Sequence, residues 1–231
     1  MQMILSSAAL PDESLDMLRR GTRRRDLAGL ELVLGAGLDP SGQLGPDAAA
    51  KAAPEPGTPP VRWVLGPDGA GDAEVMYWGQ QAHLLDAGLL LRHPVSASPV
   101  GVPLAVLHGT DPTEAQRAAA WARMHGASTG WTVRLHQDDP DELSSTLDVT
   151  APALAHVRLM GAGPEAQSAA PGTTATGTVL KELALRGYDG TVALAPSPDG
   201  STDAWRRWLF EERGWGCNTV AKKKEERAAT S

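Results

Sequence analysis

The chain has 231 residues, 42% of them hydrophobic, which is enough material for a sizeable core and fits one domain or two small ones. A formal net charge of −7 argues against electrostatic binding of nucleic acid, which needs a basic face. The single cysteine, Cys217, excludes an intramolecular disulfide and any cysteine-based metal cluster. The sequence has no run of about 18 apolar residues, and MQMILSSAALPDES has neither a basic nor a long apolar leader region, so a soluble, cytoplasmic protein with no membrane partner is expected. With seven Trp, two Tyr and one Phe, the core should be mostly Leu, Val and Ala, with Trp as the bulky filler.

A short apolar run of β type recurs along the chain. In order the runs are MILSS (3–7), GLELVLG (29–35), VRWVLG (61–66), GLLLRH (88–93), PLAVLHG (103–109), WTVRLH (131–136), HVRLMG (156–161) and TVALAP (191–196). Most are bounded by Gly, Pro or Asp, as suits strands buried on both faces of a parallel sheet.

Helical stretches lie between them. PDESLDMLRRGTRRRD opens on Pro11 and two acids, DAEVMYWGQQAHLLDA puts Val75, Trp78, Ala82 and Leu85 on one face, and TDPTEAQRAAAWARMHG runs from a Thr110 or Asp111 cap and Pro112 to a stop at Gly126. DDPDEL reads as a helix start with Pro140 at its first position, despite its acidic look. GTVLKELALRG and STDAWRRWLFEERG follow the last two strands.

Strand and helix in alternation, without hairpin turns, imply right-handed βαβ crossovers, and eight such units favour a closed (β/α)8 barrel over an open flavodoxin-like sheet. Residues 36–60 and 94–102 are helix-poor, so the barrel is expected to be economical after strands 2 and 4. A single domain over 1–214 should be followed by a flexible tail, 215–231, containing Lys222, Lys223 and Lys224. That basic run, and the arginines at 19, 20, 23, 24 and 25, are expected to be solvated faces.

Three segments carry a family resemblance. GLELVLG resembles the second strand of the xylose-isomerase-like family of sugar phosphate isomerases and epimerases, where a Gly-hydrophobic-Glu-hydrophobic pattern is common. HVRLMGAG resembles its seventh strand, normally of a His-Val-His-Leu-Lys-Asp type. TGTVLKELALRGYDGTVALAPSP resembles the following helix, a Gly-Tyr-Asp-Gly turn and the eighth strand, which in relatives ends in Glu. The resemblance implies a TIM barrel with a divalent metal on Glu, Asp, His and Glu at the ends of strands 5 to 8. This chain offers His108, His136, Arg158 and Ala195 there, so a hard-metal site of the usual kind is not expected, and no cofactor is called for.

Candidate site residues cluster at strand ends, where barrel enzymes do their chemistry. His93, His108 and His136 close three consecutive strands. They could bind Zn²⁺ or act as general acids or bases; equally, they could cap strand ends by bonding loop carbonyls. Arg158 alternates with His156 on one side of its strand and, if inward, would bind carboxylate or phosphate; if outward, it is a salt-bridged surface residue. Glu31 could serve as a base or simply pair with Arg62 or Arg158.

Trp63 could stack on a flat substrate or fill core, as could Trp131, and Gln137 adjoins His136 as a further binding candidate. GPDGAGD and GAGPEA lack a phosphate-loop fingerprint. The expected function is that of an isomerase, epimerase or related lyase on a small polar, hydroxylated or anionic molecule. Glu31, His108 and His136 would be catalytic, and His93, Arg158, Gln137 and Trp63 would bind substrate. The alternative is a barrel that binds a ligand or partner without chemistry, and oligomeric state is left open. If the histidines share the mouth with Arg158, anion binding should tighten as pH falls through about 6.5.

Overall fold

The computed structural model describes residues 1–33, 57–96, 98–135, 140–163, 174–196 and 202–211. Eight strands are present: β1 (Gln2–Ser6), β2 (Leu30–Val33), β3 (Val61–Leu65), β4 (Gly88–Leu91), β5 (Leu104–His108), β6 (Ser128–Arg134), β7 (Leu154–Met160) and β8 (Thr191–Ala195). Each pairs in parallel with the next, and β8 returns to β1 through Gln2↔Thr191 to Leu5↔Leu194, so the sheet closes into a barrel with no edge. That closure excludes the open-sheet alternative.

The helices are α1 (Leu15–Arg24), α2 (Asp72–Leu84), α3 (Pro112–His125), α4 (Pro140–Thr150), α5 (Ala175–Leu185) and α6 (Thr202–Arg206), the last continuing as a π-helical turn over Arg207–Glu211. No helix stands between Leu91 and Leu104 among the described residues, as the Pro- and Gly-rich 94–102 segment predicts. The 36–60 connection lies almost wholly outside the described residues, and the 215–231 tail entirely so. No helix is long and apolar enough to cross a membrane among the described residues.

Local chemistry sets most boundaries. Asp111 caps α3 by accepting the Thr113 N–H at 2.8 Å, Pro112 follows, and Gly126 ends the helix at φ 61°. Two boundaries differ from expectation. α1 starts at Leu15 rather than at Pro11, because Ser14 accepts the Met17 N–H and is the better cap. β6 starts at Ser128, since the left-handed turn at Gly126 leads straight into the sheet and buries Thr129.

The arginine run of α1 also departs from a solvated face. Arg19 and Arg25 are buried, Arg25 lies 4.9 Å over the Trp208 ring, and Arg24 donates to the Phe210 carbonyl. Gly21 lets α1 and the C-terminal helix approach, since a Cβ there would sit 3.1 Å from Leu209 and Phe210. These contacts fasten the last helix beside the first.

Side chains alternate along each strand between the helix layer and the barrel interior. The outer set packs in two groups, one around Leu5, Trp131, Val157, Val192 and Leu209, the other around Val64, Trp78, Leu89, Val106 and Trp121. The inner set is Ile4, Val33, Trp63, Leu65, Leu90, Ala105, Leu107 and Ala193. It is small for a barrel, and polar residues fill the remaining space.

Candidate functional site

The polar interior is built around Glu31. Its neighbours in register are Ser6 on β1 and Trp63 on β3, and it is completely buried. Two register irregularities deliver the site. One lies between Leu30 and Glu31 against β3, and the other between Thr129 and Gly130 against β7, immediately before His156 turns inward. Such bulges re-aim side chains, and no residue pattern in the chain announces them.

Ser6 Oγ donates to Glu31 Oε1 at 2.7 Å, and Arg158 Nε donates to Oε1 and Oε2 at 3.0 and 2.8 Å. His156 Nε2 lies 2.8 Å from Oε2, and its Nδ1 lies 2.8 Å from Thr191 Oγ1, which accepts the Trp63 indole N–H at 2.8 Å.

Electrostatics fix the protons in this chain. Burial raises the Glu31 pKa, but the Arg158 charge and the bonds from His156 and Ser6 outweigh it and hold the carboxyl at about 2. Burial pushes His156 below its ordinary value against the opposing pull of Glu31. A neutral imidazole facing a carboxylate must carry its hydrogen on Nε2. Its Nδ1 then accepts the Thr191 hydroxyl, whose oxygen accepts from Trp63. The donors run in sequence from Trp63 through Thr191 and His156 to Glu31.

These shifts set two separate pH windows for stability. His156, and His108, whose pKa burial also lowers, stay neutral in the fold while their unfolded counterparts protonate. Their contribution is complete above about pH 6.5 and declines as pH falls below it, by at most about 1.4 kcal/mol per pH unit for each. Glu31 holds its contribution until pH drops below about 4.5 and loses it on the way to 2. Urea unfolding at pH 7.5, 5.5 and 4 should show an early loss that His156→Gln reduces, then a further loss at the acid end.

Arg158 is 6% exposed and spends only its Nε on Glu31. Its two terminal amino groups make no hydrogen bond among the described residues. Two residues beyond His156 on the same strand, Arg158 lies roughly 6–7 Å nearer the C-terminal end of the barrel. Beside it in register is Thr132, half-buried, followed on β6 by the exposed Arg134, and strand alternation points both inward. A second guanidinium thus stands near the C-terminal end of the barrel. It was not singled out in the sequence because WTVRLH reads as an apolar strand.

His93 and His108 do not converge. His108 follows the outward parity of Leu104 and Val106. It is buried, Nδ1–H donates to the Gly109 carbonyl at 2.8 Å, and Nε2 has no partner among the described residues. His93 is exposed and flanks a crevice with Trp78 of α2 and Val95. The expectation of a pH-sensitive mouth lined by these two rings is corrected accordingly: His108 follows the outward parity of β5, and His93, past the end of β4, lies at the outer crevice. His136 and Gln137 lie outside the described residues. The polar partners that the sequence reading missed are Ser6 and Thr191, short hydroxyls that pattern alone does not separate from core.

The metal donor set implied by the resemblance does not fit the described positions. Arg158 brings a guanidinium to the β7 position, Ala195 brings no donor at the end of β8, and His108 turns away. No group of three His, Cys, Asp or Glu suited to a metal occurs among the described residues.

Trp63 sits at the N-terminal end of the interior, its ring 5.5 Å from that of His156. Gly88 opposite is obligatory, because a Cβ there would fall 2.3 Å from Trp63 Cζ3. Gly88→Ala is expected to cost about 1–3 kcal/mol through overpacking, measurable by urea unfolding. The GYDG turn is similarly explained. Gly187 takes φ 68°, Tyr188 donates to the Thr191 carbonyl at 2.7 Å, and a Cβ on Gly190 would meet the Ala155 carbonyl at 2.5 Å.

No family model matches the sequence, and no curated protein matches it. Among solved structures the chain is similar to a xylose isomerase domain-containing protein from Salmonella typhimurium LT2, at TM-score 0.55 and 13% identity, over 90% of this chain and 96% of that one. It also aligns with an uncharacterized protein from Parabacteroides distasonis ATCC 8503 (TM-score 0.48, 11% identity, 90% and 96% coverage). A third match is a xylose isomerase-like TIM barrel/4-hydroxyphenylpyruvate dioxygenase fusion protein (TM-score 0.46, 12% identity, 90% coverage), of which the chain spans 41%. The chain is a (β/α)8 barrel, and within that class its fold is xylose isomerase-like.

Proposed function

We propose that the barrel binds a small hydroxylated anion, a carboxylate or phosphate ester, at its C-terminal mouth. The observation that carries this is Arg158: a guanidinium held at Nε by a buried carboxylate, with neither terminal amino group bonded to a described residue. Planar paired donors match two oxygens of a carboxylate or phosphate. Glu31 acts as the positioning residue. With its oxygens engaged and its pKa near 2, it is a poor proton acceptor at neutral pH.

Chemistry of the isomerase or epimerase kind would therefore need a proton acceptor other than Glu31. The full commitment of Glu31 is also what favours the second reading, a barrel that binds such a compound without turning it over.

Calorimetric titration with phosphate, glycolate and the neutral polyol erythritol tests the binding. The anions should bind at least about tenfold more tightly than the polyol. Equal affinities would remove the basis for the proposal. Incubation with small sugar phosphates in D₂O separates the two readings: deuterium entering carbon next to the carbonyl marks turnover, and binding without exchange marks the non-catalytic barrel.

A further inference from the structure

The opposite end of the barrel holds a cavity that the anion site does not use. It measures about 340 Å³, within the range of small-ligand sites. Its lining comes from residues at the N-terminal ends of β1, β3, β4, β5, β7 and β8, so it is the open base of the barrel, with Trp63 and Thr191 among its walls. Gly88 gives the indole room to lie there, as its missing Cβ would stand inside the ring's contact distance.

The rim carries opposed acids. Asp86, just before β4, and Asp189, just before β8, line the cavity from opposite sides of an eight-strand ring. Neither carboxylate takes a hydrogen bond or ion pair from the described residues. Asp86 is fixed in the left-handed region at φ 53°, with its N–H bonded to the His83 carbonyl at 3.0 Å.

Arg62 and His83 also line the cavity, and Arg62 leans toward β2. A Cβ on Gly29, on the β2 side, would meet Arg62 Cγ at 2.9 Å and Nε at 3.6 Å. An indole surface beneath two carboxylates that no described residue pairs is attractive to a positive charge and repels a negative one.

The geometry points to a second binding site, at the N-terminal base of the barrel, for a small organic cation. An ammonium with a flat or apolar body would place its body against Trp63 and its charge between Asp86 and Asp189. The site selects the charge opposite to that of the C-terminal mouth, so the two ends of one barrel would take different ligands.

Benzylammonium is a suitable probe, with benzyl alcohol as its neutral counterpart and benzoate as its opposite. Titration of the full chain, followed by tryptophan fluorescence and calorimetry, should show saturable binding of the amine at least about tenfold tighter than of the alcohol, weakened by added salt. Asp86→Asn with Asp189→Asn should reduce amine affinity at least about tenfold, bring it near that of the alcohol, and leave phosphate binding unchanged. Asn tolerates the left-handed backbone at position 86, which keeps the variant foldable. Equal binding of amine and alcohol by the unaltered protein would overturn the site without recourse to any variant. An amine preference that survives the double substitution would place the cation elsewhere and overturn it too.

Discussion

Glu31→Ala is expected to lower the unfolding free energy by about 3–5 kcal/mol at pH 7, the largest effect of any single substitution in the barrel interior. The carboxylate receives donors from Ser6, His156 and Arg158, so its removal leaves all three without their acceptor inside the protein. The guanidinium is the costly one, being 6% exposed with a charge that cannot titrate away. Glu31→Gln should lie between wild type and the alanine variant, since the amide keeps one acceptor oxygen but cannot balance the charge. Urea unfolding of both variants at pH 7 measures this. A loss under 1 kcal/mol for Glu31→Ala would mean that Arg158 has another counter-ion and is not held by Glu31.

Arg158→Ala should weaken phosphate binding by about 1.5–3 kcal/mol, which is the range for a hydrogen bond to a charged group. Arg158→Lys should recover only part of the loss, because an ammonium restores charge without the planar pair of donors. Substitution at Arg158 also takes away the strongest influence that lowers the Glu31 pKa, so that pKa rises and the acid-end loss of stability becomes smaller and is complete at higher pH. That second readout separates loss of a ligand contact from loss of fold. A variant that binds phosphate normally, with only its acid stability altered, would make Arg158 purely structural. Calorimetry and acid titration on the same two proteins give both numbers.

Much of the barrel was legible in the chain because strand burial on two faces writes itself as apolar runs, and Asp111, Pro112 and Gly126 mark a helix as plainly as any sequence can. The inward orientation of Arg158 and Glu31 rests on strand parity, and parity was readable once a register was chosen. What was not readable is how the two bulges set that register at Glu31 and His156. The same parity sends His108 outward, and the bend after β4 leaves His93 at the outer crevice, although their positions at strand ends look equivalent to inward ones on paper. Ser6 and Thr191 escaped notice because a lone hydroxyl in an apolar strand has no signature until its partner is in place. Arg134 escaped for the opposite reason, since a charged residue near a strand end is ordinarily just solvated.

The most direct test of Arg158 as the ligand anchor is a crystal structure of the protein grown or soaked with phosphate. The expected result is an anion on the C-terminal side of the barrel with two oxygens about 2.7–2.9 Å from the two terminal nitrogens of Arg158, while Nε remains on Glu31. Terminal nitrogens of Arg158 satisfied by a carboxylate of the chain itself, with phosphate bound elsewhere or not at all, would contradict it.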